Sequence, residues 1–206
     1  MLTFNINGQD YTCTPGNTIL QVARQKEIDI PTLCYLHGRQ HRSVCRICVV
    51  DVAGLNSLAP ACSTLVTEGM EITTNSTRVI SARKVLMRFI MAEHGQCGRA
   101  GCAVEELAAK LGVLESAPLH IQGPIEVDRQ RSSTFMQITP SHCIHCDRCI
   151  RSCRYQMIGR KGRGVHVSMN MDTSSCVYCG DCIDACPTGT IMMAEYELLP
   201  ANRTMT

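Results

Sequence analysis

The sequence predicts an α+β chain in which a small mixed domain at each end flanks a short helical segment. Three observations support this prediction. Residues 1–15 alternate as a strand hairpin does and lead into a helical pattern. Residues 78–93 and 103–112 have helical patterns, and most of the 15 cysteines stand in short runs. The predicted divisions are a first domain at 1–77, a helical segment at 78–116, a connector at 117–140 and a second domain at 141–206.

In the first domain, Asn7 and Gly8 supply the turn of the hairpin, and Asn17 is the expected N-cap of the helix that follows. Further strands are predicted within 44–55 (VCRICVVDVAGL) and at 70–74 (MEITT). A hairpin, a helix and two more strands are typical of a β-grasp domain.

The middle of the chain predicts two helices, one over 78–93 and one over 103–112 that ends at Gly112. The stretch after them contains three prolines and no strong period. It is therefore interpreted as an extended connector with one short strand.

The 15 cysteines decide the class of protein. A secreted disulfide scaffold is the first alternative, but the first ten residues lack a basic region followed by an apolar one, and the cysteines are bunched rather than spread. The second alternative is metal binding by free thiols in a reducing cytoplasm, and the spacing favours it.

The overall charge and hydropathy exclude other classes. The net charge of +2 gives no reason to expect nucleic acid as a partner. No stretch approaches the ~18 apolar residues of a membrane span, because Arg88 interrupts the best candidate, so direct membrane insertion is not expected.

The C-terminal cysteines form two runs of the pattern C-x2-C-x2-C-x3-C, and equivalent cysteines of the two runs are 33 positions apart. This is the pattern of bacterial-type ferredoxins with two [4Fe–4S] clusters, in which the fourth cysteine of each run binds the other cluster. A zinc site closes with four ligands and does not use a triple run with a trailing fourth, so zinc is rejected here. The predicted ligands are Cys143, Cys146, Cys149 and Cys186 for the first cubane, and Cys153, Cys176, Cys179 and Cys182 for the second.

Basic side chains crowd around the first run. They either offset the negative charge of a thiolate-bound cluster or form a solvated or docking face, and the sequence does not separate these alternatives. His142 and His145 flank Cys143 and are expected to be polar neighbours rather than ligands. The basic residues are Arg148, Arg151, Arg154, Arg160, Lys161 and Arg163.

The N-terminal cysteines follow C-x10-C-x2-C-x13-C. The spacing only partly meets the plant-type rule, but its order suits two irons with two thiolates each. The predicted [2Fe–2S] ligands are the pairs Cys34 with Cys45 and Cys48 with Cys62.

Three segments around these cysteines, IPTLCY, CRICVVDV and ACSTLVTEGM, resemble the [2Fe–2S] domain of the large iron–sulfur subunit of respiratory complex I. The same domain occurs in the small diaphorase subunit of NAD-reducing nickel–iron hydrogenases and in flavin-linked bifurcating hydrogenases and formate dehydrogenases. The segment SCVYCGDCIDACPTGTI resembles the double-cubane domain of that diaphorase subunit. The resemblance covers nearly the whole chain in the same order.

One site departs from the family, which carries H-x3-C-x2-C-x5-C for a further cubane between these parts. Here His94, Cys97 and Cys102 remain, with one cysteine and five residues missing. Three ligands do not complete a cubane, so a third [4Fe–4S] is not expected and the motif is interpreted as a relic. Cys13 or a partner could supply a fourth ligand, although Cys13 is expected to be a small buried hydrophobe.

No glycine-rich phosphate loop of either common type occurs, so neither flavin nor NAD is expected on this chain. The resemblance implies a non-catalytic subunit that relays single electrons between a flavin- and NAD(P)-binding iron–sulfur subunit and a catalytic subunit. That catalyst is a hydrogenase, a formate dehydrogenase or another low-potential reductase. The alternatives are a free multi-cluster carrier and an iron–sulfur redox sensor, although the sequence shows no nucleic-acid recognition module.

Overall fold

The computed structural model describes residues 1–94, 97–114, 136–139, 142–159, 168–169 and 176–193. Most of the connector, including Pro118 and Pro124, lies outside these ranges, as do Arg160, Lys161 and Arg163.

The chain combines short strands with helices, which confirms the predicted α+β class. The helices are α1 (Ile19–Gln25), α2 (Thr77–His94), α3 (Ala103–Lys110), α4 (Arg148–Ser152) and α5 (Asp181–Asp184). The strands are β1 (Leu2–Ile6), β2 (Gln9–Cys13), β3 (Val49–Val52), β4 (Ala59–Pro60), β5 (Glu71–Thr73), β6 (Met136–Ile138), β7 (Ile158–Gly159), β8 (Ser168–Met169) and β9 (Ile191–Met193).

The N-terminal domain is a five-stranded sheet in the order β2-β1-β5-β3-β4, with α1 packed against it. The predicted hairpin is present, and Asn7 and Gly8 both have positive φ, at 55° and 86°. These are the angles that a two-residue type I′ turn requires, and Asn-Gly adopts them readily. Strand β5 runs parallel to β1, with Ile6 opposite Ile72. The interior is mostly aliphatic, with Phe4 and Tyr35 as its buried aromatic residues and three cysteines among the rest.

The N-cap of α1 is Thr18, and not Asn17 as expected. The Thr18 side chain accepts a hydrogen bond from the Gln21 backbone, while the Gln21 side chain accepts one from the Thr18 backbone at 2.8 Å. This reciprocal capping box satisfies two backbone donors, one more than a single asparagine cap would. Asn17 instead donates its side-chain amide to the Thr14 carbonyl at 3.0 Å.

The two predicted middle helices form, and they connect the two domains. The Arg83 guanidinium on α2 donates to the Val49 carbonyl at 2.8 Å, which ties that helix to β3. Gly112 follows α3 with a φ of 65°, a left-handed angle typical of a helix end. One apolar core contains buried residues from the N-terminal domain (Leu33, Ile47), from both middle helices (Met87, Val104, Ala108) and from the C-terminal domain (Ile144, Cys146).

The C-terminal domain repeats one backbone design. His145 and Tyr178, 33 residues apart, have φ values of 54° and 52°, and Asp147 and Gly180 follow with 59° and 82°. Each pair of left-handed residues precedes a short helix, α4 or α5. Strand β6, at the end of the predicted connector, pairs antiparallel with β9, so Gln137 lies opposite Met192.

The ranges that the structure describes contain no helix with the length and apolarity that a bilayer crossing demands.

Candidate metal centres

The four N-terminal cysteines meet in two contacting pairs. Cys34 and Cys45, from the loop between α1 and β3, bring their Sγ atoms to 3.3 Å. Cys48 and Cys62 likewise share a side-chain hydrogen bond. Since each iron of a [2Fe–2S] cluster takes two thiolates, the two pairs fit the two irons of such a cluster.

In each pair, one cysteine has a lowered pKa and the other a raised pKa. The hydrogen bond from Cys45 lowers the pKa of Cys34 to about 6, and the bond from Cys48 lowers the pKa of Cys62 to about 6. The pKa of each donor, Cys45 and Cys48, is raised because its proton is held by its partner and because it is buried. The lowered pKa values favour the thiolate form of Cys34 and Cys62, which is the form in which cysteine binds a metal.

The first C-terminal group surrounds a small, partly open cavity. Its walls include Cys143, Cys146 and Cys149 from the first run together with Cys186 from the second. Burial raises the pKa of Cys146 to about 12, and the neighbouring thiols of Cys186 and Cys143 add to the rise. Four thiols around one cavity form a donor set that fits a cubane.

The second group contains Cys182, whose neighbours are Cys179 from its own run and Cys153 from the first run. Burial raises the pKa of Cys182 to about 11, and Cys153 and Cys179 contribute to the rise. Cys153 also accepts a hydrogen bond from the Met157 backbone at 3.3 Å. Cys179 is exposed, whereas Cys143, Cys146 and Cys149 are all buried, so this second group lies nearer the surface.

The three residues interpreted as a relic converge on one point. His94 ends α2, Cys102 precedes α3, and the ligand atoms of His94, Cys97 and Cys102 all lie within 4.8 Å of one another. His94 and Cys102 are each only 1% exposed. Among the described residues, no further Cys, His, Asp or Glu joins this group. Cys13 is buried in the N-terminal core, as expected of a small hydrophobe.

Arg151 has a role that sequence reasoning missed. Its Nη2 donates to the carbonyls of Cys34 and Cys146, the latter at 3.2 Å. Its Nη1 donates to the Gln40 carbonyl at 3.0 Å. These bonds join the loop of Cys34 to the loop of Cys146. Arg151 therefore does more than contribute to a solvated basic face or compensate charge. No signal in the sequence distinguishes Arg151 from the arginines beside it.

His142 is also more than a polar neighbour of Cys143. The Nδ1 atom of His94 lies 2.9 Å from the His142 carbonyl, and Nδ1 of His142 lies 3.1 Å from the His94 carbonyl. This reciprocal pair fastens the end of α2 to the first cysteine run. The i to i+48 spacing of the two residues gives no local pattern that could have revealed it.

Two family models match the chain. Residues 1–77 match a 2Fe-2S iron-sulfur cluster binding domain, and residues 142–190 match a 4Fe-4S dicluster domain.

Curated relatives match most of the chain. The NADP-reducing hydrogenase subunit HndD of Solidesulfovibrio fructosivorans is 34% identical over 95% of this chain and 37% of its own length. The gamma subunit of the NAD-reducing hydrogenase HoxS of Cupriavidus necator is 27% identical over 93% of this chain and 86% of its own length. An NADH-quinone oxidoreductase subunit of Rhizobium meliloti is 30% identical over 84% of this chain but only 21% of its own length. The chain thus spans well under two thirds of HndD and of the quinone oxidoreductase subunit.

A solved structure has the same fold. The crystal structure of an NAD+-reducing [NiFe]-hydrogenase in the H2-reduced state contains a chain that matches with a TM-score of 0.82 and 20% identity. The match covers 97% of this chain and 90% of that one. With both domains matched in the order that the cysteine runs predict, the chain is an iron–sulfur protein with a 2Fe-2S domain and a 4Fe-4S dicluster domain, homologous to these hydrogenase and NADH-quinone oxidoreductase subunits.

Proposed function

We propose that this chain is a non-catalytic subunit that relays single electrons from a flavin- and NAD(P)-binding iron–sulfur subunit to a catalytic subunit, or in the reverse direction. The observation that carries the proposal is the Arg151 bridge, because it joins the loop of Cys34 to the loop of Cys146. Two cluster pockets whose loops share one side chain are close enough to act in series.

The proposed ligands are the twelve cysteines in three sets. When bound, the clusters supply one-electron redox chemistry, while the protein sets their positions, charge and solvent exposure. The sets are Cys34, Cys45, Cys48 and Cys62 for one [2Fe–2S]; Cys143, Cys146, Cys149 and Cys186 for one [4Fe–4S]; and Cys153, Cys176, Cys179 and Cys182 for the other.

Packing and burial support a linear order of the three pockets. Cys34 and Cys146 belong to one apolar core, which supports a first cubane pocket beside the [2Fe–2S] pocket. The crossed positions of Cys153 and Cys186 tie the first cubane pocket to the second. Because Cys179 is exposed, the second cubane pocket is the proposed port to one partner.

The surface of α2 supports a partner at the other end. Val85 and Phe89 are four residues apart on this helix and each is 50% exposed, so they share one face. Val85 also lines an open groove with Arg46 and Val49, next to the Cys45–Cys48 loop. An apolar helix face beside the [2Fe–2S] pocket suits contact with a second subunit.

The names of the relatives suggest the kinds of partner. HndD and the HoxS gamma chain are named as hydrogenase subunits, and the Rhizobium meliloti relative as a subunit of an NADH-quinone oxidoreductase. The proposed terminal catalyst is accordingly a hydrogenase, a formate dehydrogenase or another low-potential reductase. The proposed location is the cytoplasm, where fifteen free cysteines stay reduced and available for cluster assembly.

The proposal is tested by isolating the tagged full chain from its native host without oxygen and adding NADH or NADPH. We expect a flavoprotein to co-purify, and EPR signals of reduced clusters on this chain to appear with the nucleotide. The matched control is the same chain isolated alone, which the nucleotide should leave oxidised while dithionite reduces it. If the native chain purifies without partners and accepts electrons from many unrelated donors, it is a free carrier and the proposal is wrong.

A further inference from the structure

We propose that His94, Cys97 and Cys102 bind one tetrahedral divalent metal ion of the zinc class, separate from the three iron–sulfur clusters. Cys102 Sγ lies 3.3 Å from His94 Nε2, and all three ligand atoms fall within 4.8 Å of one another. Zinc binds nitrogen at about 2.0 Å and sulfur at about 2.3 Å in tetrahedral geometry. Those bond lengths place neighbouring ligand atoms ~3.3–3.8 Å apart. The Cys102–His94 pair is already at this spacing, and an ion would draw Cys97 in by about 1 Å at most.

The number of ligands separates this ion from a cluster. A cubane takes one protein ligand at each of four irons, and the described residues offer only three here. Zinc sites with three protein ligands keep a fourth position for water or another small ligand. Cys97 is partly exposed, whereas His94 and Cys102 are buried, so the fourth position faces solvent on the Cys97 side.

The hydrogen bond of His94 selects the imidazole tautomer that can bind a metal through Nε2. A carbonyl oxygen can only accept a hydrogen bond, so the 2.9 Å contact with the His142 carbonyl places the proton on His94 Nδ1. In the neutral imidazole, the lone pair is then on Nε2, the atom that faces Cys102. A backbone carbonyl that receives the second ring N–H is the usual support of a metal-binding histidine.

The backbone positions of Cys97 and Cys102 are also fixed by local structure. The carboxylate of Glu105 accepts hydrogen bonds from the backbones of Cys97 and Gly98, at 2.6 and 3.1 Å, and so fixes the turn that carries Cys97. Cys102 is the N-cap residue of the eight-residue helix α3, and its Sγ lies 3.3 Å from His94 Nε2. Two thiolates and one neutral imidazole form a donor set that zinc accepts.

The position of the site indicates what the ion does. The Ala103 backbone donates to the Pro187 carbonyl at 2.9 Å, and the Arg99 guanidinium donates to the Gly189 carbonyl at 2.8 Å. The 97–103 segment therefore contacts the chain immediately after Cys186. The ion therefore joins α2, α3 and this segment beside the first cubane pocket, with its fourth position left open to water or another small ligand.

The test uses the full chain with its clusters, isolated without oxygen from zinc-supplemented cells. Elemental analysis should find one zinc per chain in addition to about ten irons, the sum of the three cluster types. X-ray absorption at the zinc edge should show two sulfurs and one nitrogen at about 2.3 and 2.0 Å. Cys97→Ser and His94→Gln should each lose the zinc, while the iron content and the EPR signals of the clusters stay unchanged.

The matched control is Cys13→Ser, which alters a buried cysteine outside all four sites and should retain both zinc and iron. If Cys102→Ser does not fold, the partly exposed Cys97 still provides the test. A count near fourteen irons that falls by about four in Cys97→Ser would show a third cubane and overturn the proposal. It is equally overturned if the wild-type chain holds no metal beyond its clusters, or if its zinc has four sulfur ligands. Each of these outcomes leaves the proposed electron relay unaffected.

Discussion

The guanidinium of Arg151 donates a hydrogen bond to the backbone carbonyl of Cys34, a residue 117 positions earlier in the chain. The same Nη2 atom donates to the Cys146 carbonyl at 3.2 Å, and the Nε atom donates to the Asp147 carbonyl at 3.2 Å. Arg151 thus fastens the loop of Cys34 to the loop of Cys146. Its charge also favours the thiolate form of Cys34.

Replacing Arg151 with alanine should loosen this junction without removing a cluster. The loss of several charge-assisted hydrogen bonds should cost about 2 kcal/mol, which lowers the midpoint of thermal cluster loss by about 5 °C. Removal of the positive charge should also shift the [2Fe–2S] potential to a more negative value. Visible circular dichroism during heating and an EPR redox titration measure the two effects.

Arg154→Ala is the control for that change. Arg154 is 70% exposed and forms an ion pair with Asp181 at 3.3 Å, so its loss should cost less than about 1 kcal/mol. Equal effects of the two substitutions on both the midpoint and the potential would contradict the role given to Arg151.

The crossed ligand sets predict a specific pattern of iron loss. Cys186→Ala should damage the same cubane as Cys143→Ala, so the double variant should lose only about four irons. Cys186→Ala combined with Cys176→Ala should damage both cubanes and lose about eight. Iron analysis with EPR of the reduced proteins separates these results, and the opposite pattern would mean that each run binds its own cluster.

The apolar face of α2 should carry the contact with the partner beside the [2Fe–2S] pocket. Val85→Glu and Phe89→Glu place a charge where the interface would be dry. We expect each to weaken binding of the flavoprotein at least tenfold, on the order of 1.4 kcal/mol of binding free energy. The amount of flavoprotein that co-purifies measures the loss. Leu55→Glu is the control, because Leu55 is similarly exposed but lies in the N-terminal domain and not on α2. Retention of the partner by all three variants would show that the contact lies elsewhere.

Gly189 should be needed for the docking of the 97–103 segment. Its φ is 66°, and an added Cβ would overlap the guanidinium of Arg99, which donates to the Gly189 carbonyl. Gly189→Ala should therefore cost about 1 kcal/mol for the left-handed angle and about 1 kcal/mol more for the displaced hydrogen bond. Thermal unfolding with the clusters bound measures the total.

Gly16→Ala provides the comparison, because Gly16 has a φ of 92° and open space around its Cα. It should show the cost of the angle alone. In an Arg99→Ala background, the difference between the two glycine substitutions should disappear, and its persistence would rule out Arg99 as the cause.

The sequence by itself determined the two cysteine runs and the [2Fe–2S] group, because ligand spacing is a local property that covalent geometry fixes. It also determined the hairpin at Asn7 and Gly8, since few residue pairs adopt two consecutive left-handed angles readily. The N-cap of α1 was predicted one residue too early, because Asn17 and Thr18 are both good caps and only the Gln21 side chain selects between them.

The tertiary structure alone decided how the parts meet. Nothing in the sequence marks Arg151 among its neighbouring arginines, because its partners are backbone carbonyls, which every residue carries. The convergence of His94, Cys97 and Cys102 depends equally on α2 and α3 packing together and on the His142 carbonyl from a distant segment. Contacts of this kind arise from packing between elements far apart in the chain, so the motif that looked incomplete in the sequence forms a compact three-ligand site in the fold.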